Sequence, residues 1–370
     1  MNRLTFPLVL AWSGLLLSAP LIVEAQSGPD KRLLQKTSVQ VDAKPVEDVL
    51  RELGEKHKLT VEFDPSVAAE GNRKSPFSLT ADGLTLGSVI HLACDSANLV
   101  YVVDKGRLLV TTRAADENIL IAREYSLAPL GAVPDPQVLA AGLMEVTSGK
   151  WEVVDGEGGS FVAISPRSMT IRQSRAAHAE LQSLFEQIAA AATGRGRAPS
   201  AQDRAEQTIV RKLQTPTQLP AGPLAVSEVL DQLLKKNGVP FWVDVAAMEA
   251  DGIDWTKATS TIEGKKMPTA ARLDAVLNEL ELSWRVADEV VQITTRVKAS
   301  EHMVARVYDV RRLITPNRSL NALALQLTNT KELGPWAVTD GEGGSLMKLG
   351  TLLVVRHNAG VHSKLAGMLK

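Results

Sequence analysis

One cysteine, Cys94, occurs in 370 residues, so no disulfide can close within the chain and its domains must be held by apolar cores. Aromatic residues are scarce, at 4%, and neither sign of charge is in excess: 41 Lys and Arg stand against 42 Asp and Glu, for a formal net charge of -1. Such a balance advertises neither a nucleic acid nor a membrane surface as partner. No G-x-S-x-G, H-E-x-x-H or C-x-x-C motif occurs, and no Gly-Lys-Ser/Thr follows a glycine-rich loop. The six histidines (His57, His91, His178, His302, His357 and His362) include no pair at the i, i+4 spacing of a helical zinc site. These absences leave no catalytic, metal or cofactor residue to name. Long apolar runs are missing too, with one exception at the N-terminus.

There Arg3 precedes an apolar run over residues 4–23, and Val23 and Ala25 occupy the -3 and -1 positions ahead of Gln26. The pattern predicts a secretory signal peptide over 1–25, cleaved between Ala25 and Gln26. An uncleaved anchor is the alternative, because about 20 apolar residues suffice to span a bilayer. Pro7 and Pro20 favour removal, after which no integral membrane segment is expected. No cysteine follows the run, so no lipid anchor is implied.

The rest of the chain repeats itself. Val46, Val49, Leu50 and Leu53 have the spacing of one helix face, and Val226, Val229, Leu230 and Leu233 reproduce it. Each pattern leads to a short strand ending at Asp64 or Asp244. A second helix places Ile90, Ala93 and Cys94 against Leu273, Val276 and Leu277, which makes Cys94 a core residue. A hairpin follows, "LVYVVDKGRLLVTTR" in one copy and "LSWRVADEVVQITTR" in the other, with Tyr101 and Trp284 as half-buried strand aromatics. Then come Tyr125 and Tyr308, a helix with Leu139 and Leu143 against Leu323 and Leu327, a strand ("SMTIR", "LLVVR"), and a closing helix carrying His178 or His362. The fold class read from this is α+β, with tandem small units in the order A-B-A′-B′. The expected divisions are a spacer at 26–32, A at 33–115, B at 116–192, a linker at 193–206, A′ at 207–298 and B′ at 299–370. Separate cores for the two copies are expected.

Between the middle helix and the last strand of B and B′ lies the most conspicuous motif. "WEVVDGEGGS" at 151–160 and "WAVTDGEGGS" at 336–345 share eight of ten positions. As a phosphate loop the motif is poor, and Asp155 and Glu157 would repel the backbone that a G-x-x-G clamp holds in nucleic-acid-binding domains. Calcium would want six to eight oxygens, more than the loop offers. A structural turn fits best: Trp151 and Trp336 anchor it, Asp155 and Asp340 sit in it, and Gly156, Gly158, Gly159, Gly341, Gly343 and Gly344 supply positive φ or close approach. On this reading Gly159→Val or Gly344→Val is disruptive through positive φ, and removing both carboxylates of the first loop leaves folding nearly intact.

Pro45, Val46, Val49, Leu50, Leu53, Phe63, Asp64 and Pro65 resemble the short N-terminal domain shared by secretins and TonB-dependent transducers. Tyr125, Leu127, Trp151, Gly158, Gly159 and the run "RQSRAAHAEL" resemble the secretin periplasmic domain that follows it. The resemblance covers roughly 33–190 and, more weakly, 207–370. It implies a periplasmic location and docking to other proteins, since such domains pack into rings and contact partner complexes. No further domain is expected after residue 370, so the pore-forming barrel is not carried over. The resulting reading is a non-enzymatic exported scaffold or adaptor. Its partners would be envelope proteins, secretin-system components or a second copy of itself, with no nucleic acid and no cofactor. The alternative is a periplasmic sensor that holds a small ligand in a cleft between A and B, marked by polar residues converging there.

Overall fold

Val46, Val49, Leu50 and Leu53 are all buried on helix Val46–His57, whose first turn carries Glu47 and Asp48 to complement the helix dipole. The Val46 amide donates to the Ser75 carbonyl at 3.0 Å in place of a side-chain cap, and the helix ends where Lys58 takes the left-handed φ of 58°. This is a computed structural model, and it describes residues 30–369 except 70–71, 105, 132–134 and 195–199. The signal segment, with Ala25 and Gln26, lies outside the described residues.

A and A′ share one strand arrangement. The strand after the first helix (Thr60–Phe63 or Phe241–Val243) runs parallel to the second hairpin strand (Arg107–Thr112 or Val290–Thr295). That strand pairs antiparallel with the first (Leu99–Asp104 or Leu282–Ala287). A separate ribbon joins Lys36–Pro45 to Pro76–Thr85 in A, and Gly222–Ala225 to Thr259–Ile262 in A′. Cys94 is buried on helix Leu86–Ser96, as Leu277 is on helix Thr269–Asn278, and burial pushes its thiol well above the reactive range.

B and B′ each contain a three-stranded antiparallel sheet. Strand Ser168–Gln173 lies between Ile121–Ser126 and Ser160–Ile164, and strand Leu352–His357 lies between Val304–Asp309 and Ser345–Leu349. The strands at 160–164 and 345–349 add a hairpin partner that the repeat pattern does not announce. Two helices cover each sheet: Pro136–Val146 and Arg175–Ala192 in B, Leu320–Thr328 and Ala359–Met368 in B′.

The copies do not have separate cores. Met347, Leu349, Leu352 and Val354 of the B′ sheet belong to one buried cluster with Leu139, Leu143, Leu181 and Ile188 of the B helices. The alternate residues Leu353 and Val355 pack instead with Leu323, Leu327 and Leu365 of the B′ helices. The layers thus run sheet, helices, sheet, helices, with the B helix pair between two sheets. Gly142 permits this approach, because a Cβ there would collide with the Met347 side chain. Trp242 and Val290 of A′ likewise enter the A core, where Trp242 lies 6.5 Å from Phe77 by ring centroids. Burying such side chains contributes about 1.5–3 kcal/mol each, so a shared core ties the halves together strongly.

Part of the expected linker is a helix. Ala201–Leu213 opens with a capping box in which the Asp203 amide donates to Ser200 Oγ at 3.0 Å and the Ser200 amide donates to Asp203 Oδ2 at 2.7 Å. Its Ile209 and Leu213 are buried in the A′ core. Among the described residues no helix is long and apolar enough to cross a membrane.

Candidate functional site

Trp151 and Trp336 are buried, and each precedes a single helical turn, Glu152–Asp155 or Ala337–Asp340. The aspartate at the end of the turn reaches back: Asp155 Oδ2 accepts from the Trp151 amide at 2.6 Å, and Asp340 Oδ2 from the Trp336 amide at 2.8 Å. Hydrogen bonding from the Trp336 amide, aided by Thr339, lowers the Asp340 carboxyl below its usual range. These carboxylates face their own backbone, and Glu157 pairs with Lys150 at 2.7 Å in solvent. Asp155 thus has a backbone partner that the expectation of nearly intact folding without both carboxylates did not include.

The glycines divide into two roles. Gly156, Gly158, Gly341 and Gly343 hold φ of 76°, 105°, 79° and 97°, which only glycine adopts cheaply. Gly159 and Gly344 do not have positive φ, contrary to the expectation. They are needed for close approach: a Cβ on Gly159 would strike Gln173 and the Arg172 carbonyl, and one on Gly344 would strike His357. Gln173 and His357 correspond and do the same work, bonding the carbonyls of Lys150 and Pro335 at 2.7 and 3.2 Å.

His178 and His362 lock the closing helices. Each is fully buried, accepts from a tyrosine hydroxyl (Tyr125 or Tyr308) at 2.8 Å through Nδ1, and faces a backbone carbonyl (Ile121 or Val304) with Nε2 at 2.9 and 2.8 Å. That pattern requires the neutral ring protonated on Nε2. Burial brings His362 down to about 4.

Sequence reasoning missed a cluster at the contact of A with A′. The hairpin turn of A′ carries Asp288 and Glu289 at φ 52° and 62°, a type I′ geometry that glycine or asparagine would occupy with less strain. Its side chains grip helix Leu86–Ser96 of A. Glu289 accepts from the Thr85 amide at the helix start and pairs with Lys36 at 2.7 Å, and Asp288 meets His91 Nδ1 at 2.8 Å. The Asp288 charge raises His91 above its ordinary value. Nearby, Lys298 bridges Asp244 at 2.8 Å and Asp95 at 3.3 Å. The matching turn of A reads Asp104-Lys105-Gly106, so the signal was "DE" where a glycine-bearing turn had stood. The groups of this cluster face one another across the contact between A and A′, which makes it a clasp rather than the cleft between A and B that a sensor would use. Among the described residues no group of three or more His, Cys, Asp or Glu is placed to hold a metal.

No protein-family model and no curated protein sequence matches the chain. Among solved structures, the chain is similar to one titled "Structure of XcpQN012" at 11% identity, over 50% of this chain and 84% of that one, with a TM-score of 0.18. The N-terminal domain of the secretin XcpQ from Pseudomonas aeruginosa aligns at 13% identity over 48% of this chain and 79% of its own, also with a TM-score of 0.18. The GspC-GspD complex of the type II secretion system of enterotoxigenic Escherichia coli aligns at 9% identity over 42% of this chain and 98% of its own, TM-score 0.18. At these scores the likenesses carry no functional argument.

Proposed function

We propose that the protein is a non-enzymatic scaffold or adaptor of the cell envelope, built from two tandem pairs of secretin-like periplasmic domains and working by protein–protein docking. The observation that carries this reading is the stacking itself: the helix layer of B is apolar on both sides and seats a second sheet of the same type. Units that bury each other's faces in this way are docking modules first. The patterning from Pro45 to Pro65, and the Trp-Gly-Gly motif of B, support the secretin-like assignment of the units. Residues 1–25 support export, as a signal peptide, to the periplasm. Crosslinking of the mature protein in its native envelope should recover exported or secretin-system proteins, or a second copy. A monomer without crosslinked partners that retains a small molecule through purification would sink this reading in favour of a sensor.

A further inference from the structure

The second half sits on the first head to tail: the B′ sheet on the B helices through Met347, Leu352 and Val354, and A′ on A through Trp242 and Val290. A head-to-tail contact leaves one seating face unused on the first half and one receiving face unused on the second. Repeated units that pack this way go on adding unless the outermost ones differ from those inside. Here they differ, position by position. We propose that A and B form one cap, and A′ and B′ the other, of a stack closed at two units, so that each chain carries its own neighbour and further copies do not extend it. This goes beyond the scaffold reading and does not depend on it.

On the first half, solvated residues replace the seating ones. Strand register equates Trp242 with Glu62 and Val290 with Arg107. Trp242 and Val290 are buried in the A core, whereas Glu62 and Arg107 are exposed and pair with each other at 3.7 Å. Covering that pair with another sheet would strip two charges of water and give them no better partner in return. In the same way Leu352 and Val354 correspond to Ser168 and Thr170, on the face of the B sheet that meets solvent. A hydroxyl at each place offers no apolar seat and loses its water on contact.

The receiving side is closed as well. In A, the Phe77 ring meets Trp242, the Thr85 amide donates to Glu289, and His91 meets Asp288. The counterparts in A′ are Ser260, Pro268 and Asp274. Ser260 gives its hydroxyl to Glu279 at 2.8 Å, Pro268 has no amide hydrogen to give, and Asp274 would meet an incoming aspartate with like charge. On B′, Gln326 stands where Gly142 leaves room for Met347. Leu325, exposed on the same helix, corresponds to Ala141, which is itself exposed and so takes no part in the inner contact. Residue type at these positions follows place in the stack, not place in the repeat, as termination requires.

The test follows the full mature chain and its variants by sedimentation from low to high micromolar concentration. One variant carries the inner residue at outer positions: Glu62→Trp, Arg107→Val, Ser168→Leu, Thr170→Val, Asp274→His and Gln326→Gly. It should self-associate at least about ten-fold more tightly than wild type and keep growing with concentration past the dimer. Should it fail to fold, Ser168→Leu with Thr170→Val and Gln326→Gly opens B and B′ alone and should also associate more tightly than wild type. Thr170→Lys and Gln326→Lys, each on an outer face, should leave the wild-type profile unchanged, whether that profile is a monomer or an association through another surface. A folded uncapped chain that associates no more than wild type would overturn the proposal, as would a wild-type association weakened by either lysine. If the wild-type protein crosslinks to nothing in the envelope, the scaffold reading falls while the closed stack stands.

Discussion

Asp155 and Asp340 each close a five-residue ring of chain by accepting from the amide of the tryptophan before the turn. Removing either acceptor leaves an amide beside a buried indole without its partner. Asp155→Ala should therefore lower stability by about 1 kcal/mol, Asp340→Ala should act in the same direction, and Glu157→Ala, in solvent, should cost less than about 0.5 kcal/mol. Denaturant melts of the three variants separate the cases, and equal effects would return Asp155 to the dispensable class. A second residue-scale effect is titration. His362 is neutral in the fold with a value brought down to about 4 by burial, so its contribution is fully present above the unfolded value of about 6.5. It is lost as pH falls from there toward 4, by roughly 3 kcal/mol from this ring alone. His91 has the opposite sign: Asp288 raises it, so its contribution is present below about 6.5 and fades as pH rises through the raised value. Midpoints measured from pH 4.5 to 8 should show the acid limb, and His362→Gln should flatten it.

Helices and strands differ in how legible they were. The face Val46, Val49, Leu50, Leu53 was readable because a helix with one buried side writes its period into the sequence. The strands "SMTIRQ" and "LLVVRH" record more than was taken from them. The first alternates because one face of the B sheet meets solvent, and the second opens with four apolar residues in a row because B′ is covered on both faces. That contrast was the one trace of the shared core. The clasp of Asp288 and Glu289 left no such trace, since two acidic residues in a turn look solvated until a partner surface is present. Helix Ala201–Leu213 was missed because only Ile209 and Leu213 are buried, too few to show a period, although its capping box was in plain view. Gly142 tests the stacking at this scale. Its counterpart on the B′ helix is Gln326, where no further sheet packs. Gly142→Gln should cost roughly 1–3 kcal/mol by overpacking against Met347, whereas Gln326→Gly should cost only the helix propensity of about 1 kcal/mol. Urea midpoints of the pair decide it, and equal losses would mean that the B helix does not need the glycine for contact.

At the scale of the whole molecule, two halves of like topology are joined by apolar contact in two places and by the clasp in one. Trp242 and Val290 sit in the core of A, the inner face of the B′ sheet sits on the helices of B, and Glu289 holds the start of an A helix. The covalent link between the halves is thus one connection among several. A protease site inserted after Gly196 and cut in the folded protein should leave two fragments that elute together under native conditions and part only in denaturant. Salt should loosen them little, because Glu289 and Asp288, the carboxylates that reach across from A′, are buried and weakly screened, and the two apolar contacts carry no charge. Lys36→Ala should weaken the nicked pair modestly, since Lys36 is the exposed partner of its bridge, whereas Glu289→Ala should weaken it more, removing an acceptor from the Thr85 amide as well. Fragments that separate on cutting, at low salt and without denaturant, would show that each copy carries a sufficient core of its own and that the stacking contributes little to holding the protein together.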